Sequence, residues 1–229
     1  MYENVFERIE KKYLLTETQY QKLFLNISEY IEKNKYFETT VCNIYFDNDQ
    51  EELINTSIDK PIYKHKVRLR SYGIPKQNDD VFLEIKSKFK KIGNKRRIKM
   101  KLSDFNKYIR KNIFNNNQIM REIDYLFKFY KLKPFYFIAY DRKSYSEKNN
   151  ENLRITIDTN LRSRSDKLKL EYGDKGKMYF KEKIYIMEIK TLGAMPLWLV
   201  KNLSALEIYP VSFSKFGSIY KKDMEEEKC

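Results

Sequence analysis

The sequence predicts an α+β protein whose strands gather around a charged interior, and three observations predict it. First, Lys66, Arg68 and Arg70 alternate with Val67 and Leu69. Successive side chains of a strand point to opposite faces, so the cations share one face and the apolar pair the other. Second, the pattern recurs. Glu84, Lys86 and Lys88 stand opposite Val81, Leu83 and Ile85, and Arg154, Thr156 and Asp158 opposite Leu153, Ile155 and Ile157. Glu188 and Lys190 stand opposite Tyr185, Met187 and Ile189, while Arg8, Glu10 and Lys12 share one face of a fifth segment. Third, the stretches between carry apolar residues at helical spacing. Half-exposed strands also alternate, and a solvated face tolerates like charges. These polar faces, however, are rich in Arg, Lys and Glu and poor in Ser, Thr and Gln. That favours strands closing around a charged interior, as inner and outer residues alternate along every strand of a barrel.

In chain order, 6–14 reads as a strand. Thr16 opens a helix with Gln19 in capping-box spacing. Tyr20, Leu23, Phe24, Ile27, Tyr30 and Ile31 supply its apolar stripe, core residues by default. Residues 39–47 are β-rich, and 48–60 form a turn with a short helix. Residues 62–100 read as a three-strand meander, with turns at Gly73 and Pro75, at 77–80, and at Gly93-Asn94. In its last strand Ile98 and Met100 oppose Lys95, Arg97 and Lys99. Ser103 starts a helical region that breaks near 115–117 and runs to Lys131, with Pro134 ending it. Residues 135–145 form an aromatic strand and the Arg154 strand follows. Residues 162–183, with Gly173 and Gly176, read as a long hairpin or flexible excursion before the Glu188 strand. Pro196 suits the first turn of an apolar helix, and the charged end from Lys221 reads as frayed.

A β-rich chain of 229 residues fits one domain, 1–229, and 41% hydrophobic residues suffice for its core. Only 6 Gly and 5 Pro argue against a linker-rich chain. The formal net charge of +14 attracts polyanions: nucleic acid, polyphosphate or an anionic membrane. Cys42 and Cys229 give neither a disulfide framework nor a zinc site, and His65, the single histidine, excludes a two-histidine metal site. No signal peptide, long apolar run or P-loop is visible, so the expected location is the cytoplasm, with peripheral membrane recruitment left open.

Arginine forks grip phosphate oxygens bidentately and lysines act as mobile point charges. The carboxylates Glu10, Glu84 and Glu188 would form internal salt bridges, or hold Mg²⁺ or Mn²⁺ together with phosphate oxygens. Phosphoryl transfer needs mainly positioning and charge neutralisation. Aromatic stacking on bases would serve a nucleic-acid binder, but most aromatics fall on core-like faces, so no specific nucleic-acid partner is expected.

Eight motifs bring a family into view. They are Arg8-Ile9-Glu10-Lys11-Lys12-Tyr13, Lys66-Val67-Arg68-Leu69-Arg70-Ser71-Tyr72-Gly73, Phe82-Leu83-Glu84-Ile85-Lys86, Lys95-Arg96-Arg97, Tyr140-Asp141-Arg142, 153–158, 186–190 and Ser214-Lys215-Phe216. Their order resembles that of VTC domains, polyphosphate polymerase domains of the triphosphate tunnel metalloenzyme (CYTH-like) superfamily. The resemblance spans about residues 6–217. It implies an α+β fold, an antiparallel eight-stranded β tunnel with helices packed outside. It also implies a phosphotransferase, an ATP-dependent polyphosphate polymerase moving the γ-phosphate of ATP onto a growing polyphosphate chain with Mn²⁺ or Mg²⁺. Carried over, Lys12, Arg68, Arg70, Lys86, Tyr140, Arg142, Arg154, Lys190 and Lys215 would contact phosphate and Glu188 the metal. Arg8, Lys66, Lys95 and Arg97 join the phosphate-binding set, with Lys95 and Arg97 inside on alternation. The catalytic set would be Arg68, Arg70, Lys86, Arg142, Lys190 and Glu188.

Hydrolases of the superfamily carry Glu-x-Glu-x-Lys on the first strand, whereas Arg8 stands at the first of these positions here, as in VTC domains. That weighs against a two-metal triphosphatase. No SPX domain or membrane span is visible, so a stand-alone prokaryotic protein is expected. Hydrolysis of tripolyphosphate or a nucleoside triphosphate, and a non-catalytic polyphosphate- or nucleotide-binding module, are the alternatives.

Overall fold

A computed structural model describes residues 8–59, 62–90, 92–111 and 117–227. The strands are β1 (Arg8–Leu15), β2 (Ile31–Asp47), β3 (Tyr63–Tyr72), β4 (Asp80–Phe89), β5 (Ile92–Lys101), β6 (Lys133–Glu147), β7 (Asn150–Arg164), β8 (Lys177–Met178) and β9 (Tyr185–Leu192). The helices are α1 (Glu17–Ile27), α2 (Glu52–Ile58), α3 (Leu102–Lys111), α4 (Gln118–Phe129), α5 (Leu197–Ala205) and α6 (Lys215–Glu227). The sheet order is β1-β9-β7-β6-β2-β3-β4-β5, with β8 paired to β7. The pairings of β1 with β9, β7 with β9, β2 with β3, β3 with β4 and β4 with β5 are antiparallel. The fold is therefore α+β on an antiparallel sheet, as the alternation requires. No helix among the described residues is long and apolar enough to cross a membrane.

The chain divides into two compact units. One comprises the described parts of Met1–Thr39, Tyr140–Leu161 and Met178–Ser214. Its core joins Tyr13 and Leu15 of β1 to Leu153, Ile155 and Ile157 of β7 and to Tyr185, Met187 and Ile189 of β9. Leu23 and Ile27 of α1 and Leu199 and Leu203 of α5 cover these strand faces. The Thr16 side chain accepts from Gln19 N at 3.2 Å while the Gln19 side chain accepts from Thr16 N at 3.1 Å, a complete capping box. The expected stripe overran the helix. α1 stops at Ile27, Tyr30 turns away to stack on Trp198 at 4.6 Å, and Ile31 opens β2 eight residues before the expected strand start. Pro196 stands at the N-cap of α5 rather than in its first turn.

The second unit comprises Thr40–Ala139, Arg162–Lys177 and the described part of Lys215–Cys229. The three-strand meander β3–β4–β5 forms as expected, but Gly93-Asn94 is not its turn: both residues lie inside β5, where Gly93 pairs with Lys88 and Asn94 with Ser87, so the β4–β5 connection falls before Ile92. Its apolar face carries Val67, Leu69, Val81, Leu83 and Ile85, packed on Phe46, Phe105, Met120 and Ile123. The helical region between the meander and β6 is split. Asn117 caps α4 by accepting from Met120 N at 2.8 Å, and the remainder of the expected break lies outside the described residues. The chain end is not frayed up to Glu227. Phe216, Ile219 and Tyr220 recur at helical spacing and are buried, which makes α6 a packed helix despite its charge. The Tyr220 hydroxyl bonds Glu51 at the head of α2.

The excursion after β7 is tied down rather than loose. The Arg164 guanidinium lies over the Phe137 ring at 3.6 Å and donates to the carbonyls of Lys167, Lys169 and Lys175. Gly176 passes so close to β7 that a Cβ there would stand 2.5 Å from the Ser163 carbonyl oxygen. Because that neighbour is backbone, Gly176→Ala is expected to cost about 1–3 kcal/mol of stability in urea melts. Gly93→Ala, with nothing within 4 Å, is expected to leave the midpoint where it is.

Candidate functional site

Strand register builds a grid of charge on the polar face of β2–β5. One row runs Tyr45, Arg68, Glu84, Arg97. On one side of it lie Lys66, Lys86 and Lys95, and on the other Asn43, Arg70, Phe82 and Lys99. Glu84 is the buried centre. Its Oε2 accepts from Arg68 Nε at 2.8 Å and its Oε1 lies 2.7 Å from Lys95 Nζ. Arg70 Nε donates to Asn43 Oδ1 at 2.9 Å, and Asn43 Nδ2 donates to the Ile138 carbonyl. Arg97 lies over the Phe82 ring at 4.9 Å. Arg96 points the other way and pairs with Glu122 of α4, so Lys95 and Arg97 share the grid face as alternation requires. Lys86 is exposed, and Lys215 opens α6 beside Phe216, whose ring carries the Lys66 ammonium at 5.6 Å.

The electrostatics follow from this crowding. Burial alone would raise the Glu84 carboxyl, but Arg68, Arg70 and Lys95 bring it down to about 2. Burial pushes Lys95 down to about 8; Glu84 opposes the shift, while Arg70 and Arg68 add to it. Tyr45 is buried too, which would raise its phenol, yet Arg68, Lys66 and Arg70 bring it down to about 8.

The other unit carries a second polar face with a different balance. Glu10, Lys190 and Arg154 form one row across β1, β9 and β7, and Lys12, Glu188 and Thr156 the next. Lys190 Nζ lies 2.8 Å from Glu188 and 3.4 Å from Glu10. Lys12 Nζ donates to the Phe213 carbonyl at 3.1 Å and stands 3.6 Å from Glu10. Arg154 Nε donates to Ser144 Oγ at 3.2 Å. Arg142 grips buried Asp158 with Nε and Nη2 at 2.7 and 2.8 Å and lies 5.2 Å over the Tyr140 ring. Burial works against the Arg142 charge, but Tyr140, Asp158 and Glu188 hold it well above its ordinary range. The Arg8 backbone pairs with Leu192, while its side chain lies outside the described residues.

Of the three candidate metal carboxylates, Glu84 belongs to one unit and Glu10 and Glu188 to the other. No cluster of three or more His, Cys, Asp or Glu side chains forms among the described residues. Glu84 is engaged by Arg68 and Lys95, whereas Glu10 and Glu188 share Lys190. In that second row the Thr156 hydroxyl is buried without a hydrogen-bond partner. A carboxylate pair beside an orphaned hydroxyl fits a divalent cation that takes its other ligands from water and phosphate. The sequence reading missed Tyr45 and Asn43 as members of the grid. Their odd-numbered spacing within 41–47 was the available signal, hidden by the apolar residues around them.

Glu84 gives the grid a pH signature. Its folded value, about 2, lies below its ordinary 4.5, so its contribution is fully present above about 4.5 and is lost as pH falls towards 2. Acid titration of stability is expected to show wild type losing roughly 3 kcal/mol more than Glu84→Gln across that window. At neutral pH Glu84→Gln is expected to unfold at lower denaturant than wild type, since Arg68 and Lys95 are left facing a neutral amide.

Comparison with known proteins matches this arrangement to a family. Residues 7–222 match the VTC domain model. Over 153 residues, 53% of this chain, the sequence is 26% identical to the vacuolar transporter chaperone complex subunit 4 of Trypanosoma cruzi; the match covers only 19% of that protein. A candidate adenylate cyclase from Bacillus halodurans superposes with a TM-score of 0.57 at 14% identity, covering 90% of this chain and 93% of the other. A candidate adenylyl cyclase from Hippeastrum, described as having a dominant triphosphatase activity, also gives 0.57 at 14% identity, covering 94% and 96%. These two likenesses concern the fold. The family match runs through every motif from the first strand into α6, and on it the chain belongs to the VTC domain family.

Proposed function

We propose that this chain is a metal-dependent polyphosphate polymerase that transfers the γ-phosphate of ATP onto the end of a growing polyphosphate chain, releasing ADP. The observation that carries the reading is the grid on β2–β5. There Lys66, Arg68, Arg70, Lys86, Lys95 and Arg97 surround the carboxylate of Glu84, six cations about one anion. A face with cations in such excess attracts a polyanion. Arg68, already oriented by Glu84, presents a planar fork suited to phosphate oxygens.

Support for the metal comes from the second face. Glu188 and Glu10 would hold Mn²⁺ or Mg²⁺ there, which would offset charge on the transferred phosphoryl group. Lys12, Lys190, Arg142, Arg154 and Tyr140 would contact phosphate oxygens on that face, and Lys215, beside Phe216, would add charge to the unit that carries the grid. Arg8, in the place where hydrolases carry an acid, favours holding phosphate over activating water. The second reading, triphosphate hydrolysis, is supported by the activity described for the Hippeastrum protein.

With ATP and Mn²⁺ the protein is expected to make chains resolvable on gels, and a short polyphosphate primer to shorten any lag. Release of only ADP and orthophosphate under every metal tried would favour the hydrolase. Glu188→Gln is expected to lower turnover by at least about 100-fold, since the charge that would hold the cation against phosphate is removed, while its melting curve stays close to wild type. Full metal-dependent turnover in that variant would overturn the assignment.

A further inference from the structure

We propose that Tyr45 is a positioning residue that aims the Arg68 guanidinium and takes up a proton when a phosphate chain binds; this rests on the phosphate-binding reading of the β2–β5 grid. Tyr45 stands directly opposite Arg68 in the β2–β3 register. Arg68 is held on two edges: Nη1 donates to the Tyr45 hydroxyl at 3.0 Å and Nε donates to Glu84 at 2.8 Å. The second clasp is itself anchored, because Lys95 holds the other oxygen of Glu84. The first is anchored by stacking. The Tyr45 ring lies on Phe216 of α6 at 4.4 Å and 24°, and Phe135 and Tyr136 of β6 pack edge-on or tilted against the same ring. The phenol oxygen is thus fixed in position by a ring that is not free to swing.

The surroundings of this oxygen make it proton-linked. From β3 it faces Arg68, Lys66 and Arg70; α6 presents the apolar Phe216; Asn43 on its own strand is neutral and occupied by Arg70. Glu84 of β4 and Lys95 of β5 act through Arg68 and largely offset each other. The phenol therefore sits in a positive field, which brings it to about 8 in spite of burial. A bound phosphate chain reverses that field. Phenolate then becomes costly and the group takes a proton from solvent. Conversely, ionisation of Tyr45 above neutral pH places an anion beside Arg68 and weakens phosphate binding.

Tyr45→Phe keeps the stacked ring and removes only the oxygen. Tripolyphosphate is the probe, measured by calorimetry and by near-ultraviolet tyrosinate absorbance. At pH 7 the variant is expected to bind about tenfold more weakly, the effect of losing one hydrogen bond to a charged group. The gap is expected to narrow by pH 9, where wild-type Tyr45 is ionised; a merely structural role would keep it constant. At pH 8 tripolyphosphate is expected to reduce tyrosinate absorbance in wild type and not in the variant. Binding heat in wild type with no absorbance change, or an equal change in both proteins, overturns the role of Tyr45 while leaving phosphate binding intact. Absence of binding heat in wild type overturns the phosphate reading and this proposal together. Should Tyr45→Phe fold poorly, the wild-type measurement still refutes the role of Tyr45 if binding heat comes with no absorbance change.

Discussion

Glu84 is a buried carboxylate held between Arg68 and Lys95, and the polar face of β2–β5 depends on it. An anion buried without partners is expensive; two charge-assisted contacts make it tolerable, and removing one partner of such a group typically costs about 3–5 kcal/mol. In return it fixes the guanidinium plane of Arg68 and draws Lys95 inward from β5. Without that anchor, adjacent cations on β3, β4 and β5 would spread towards solvent. The ionised carboxylate therefore both stabilises the fold and holds a fixed array of positive charge.

The two polar faces differ in how they treat their charge. On the grid, cations crowd a single central carboxylate, and Lys95 is depressed chiefly by burial, with Arg70 and Arg68 adding to the shift. On β1, β9 and β7, Lys190 bridges Glu10 and Glu188 while Arg142 grips Asp158 with two of its nitrogens. One face carries cations in excess. The other is closer to neutral and offers carboxylate oxygens, which is the chemistry a divalent cation selects.

Much of this was legible in the chain. The alternation at 66–70, 82–86 and 95–97 needed only the period of a strand, and it separated Lys95 and Arg97 from Arg96 correctly. What escaped was residues whose type argued for a different place. Tyr45 and Asn43 lie between Val41, Ile44 and Phe46, so the stretch reads as core on both faces; pairing with Arg68 and Arg70 fixes their role, and pairing is not visible locally. α6 escaped because Lys221, Lys222 and the run of acids after them hide the spacing of Phe216, Ile219 and Tyr220. Ile31 was counted with α1 because its apolar phase continues the helix, whereas Tyr30 stacking on Trp198 ends it.

The pairing of β1 with β9 has a consequence for how the chain reaches this state. Arg8 finds its partner at Leu192, so the first strand waits for nearly the whole chain before it can be zipped into place. The meander β3–β4–β5 joins neighbours across short turns and bears almost none of that loop-closure cost. On loop-closure cost alone the meander is expected to form before β1 docks, and β1 lacks its β9 partner until that strand has been made. Such a topology folds slowly for its size and leaves the amino-terminal strand the part most dependent on protection from aggregation.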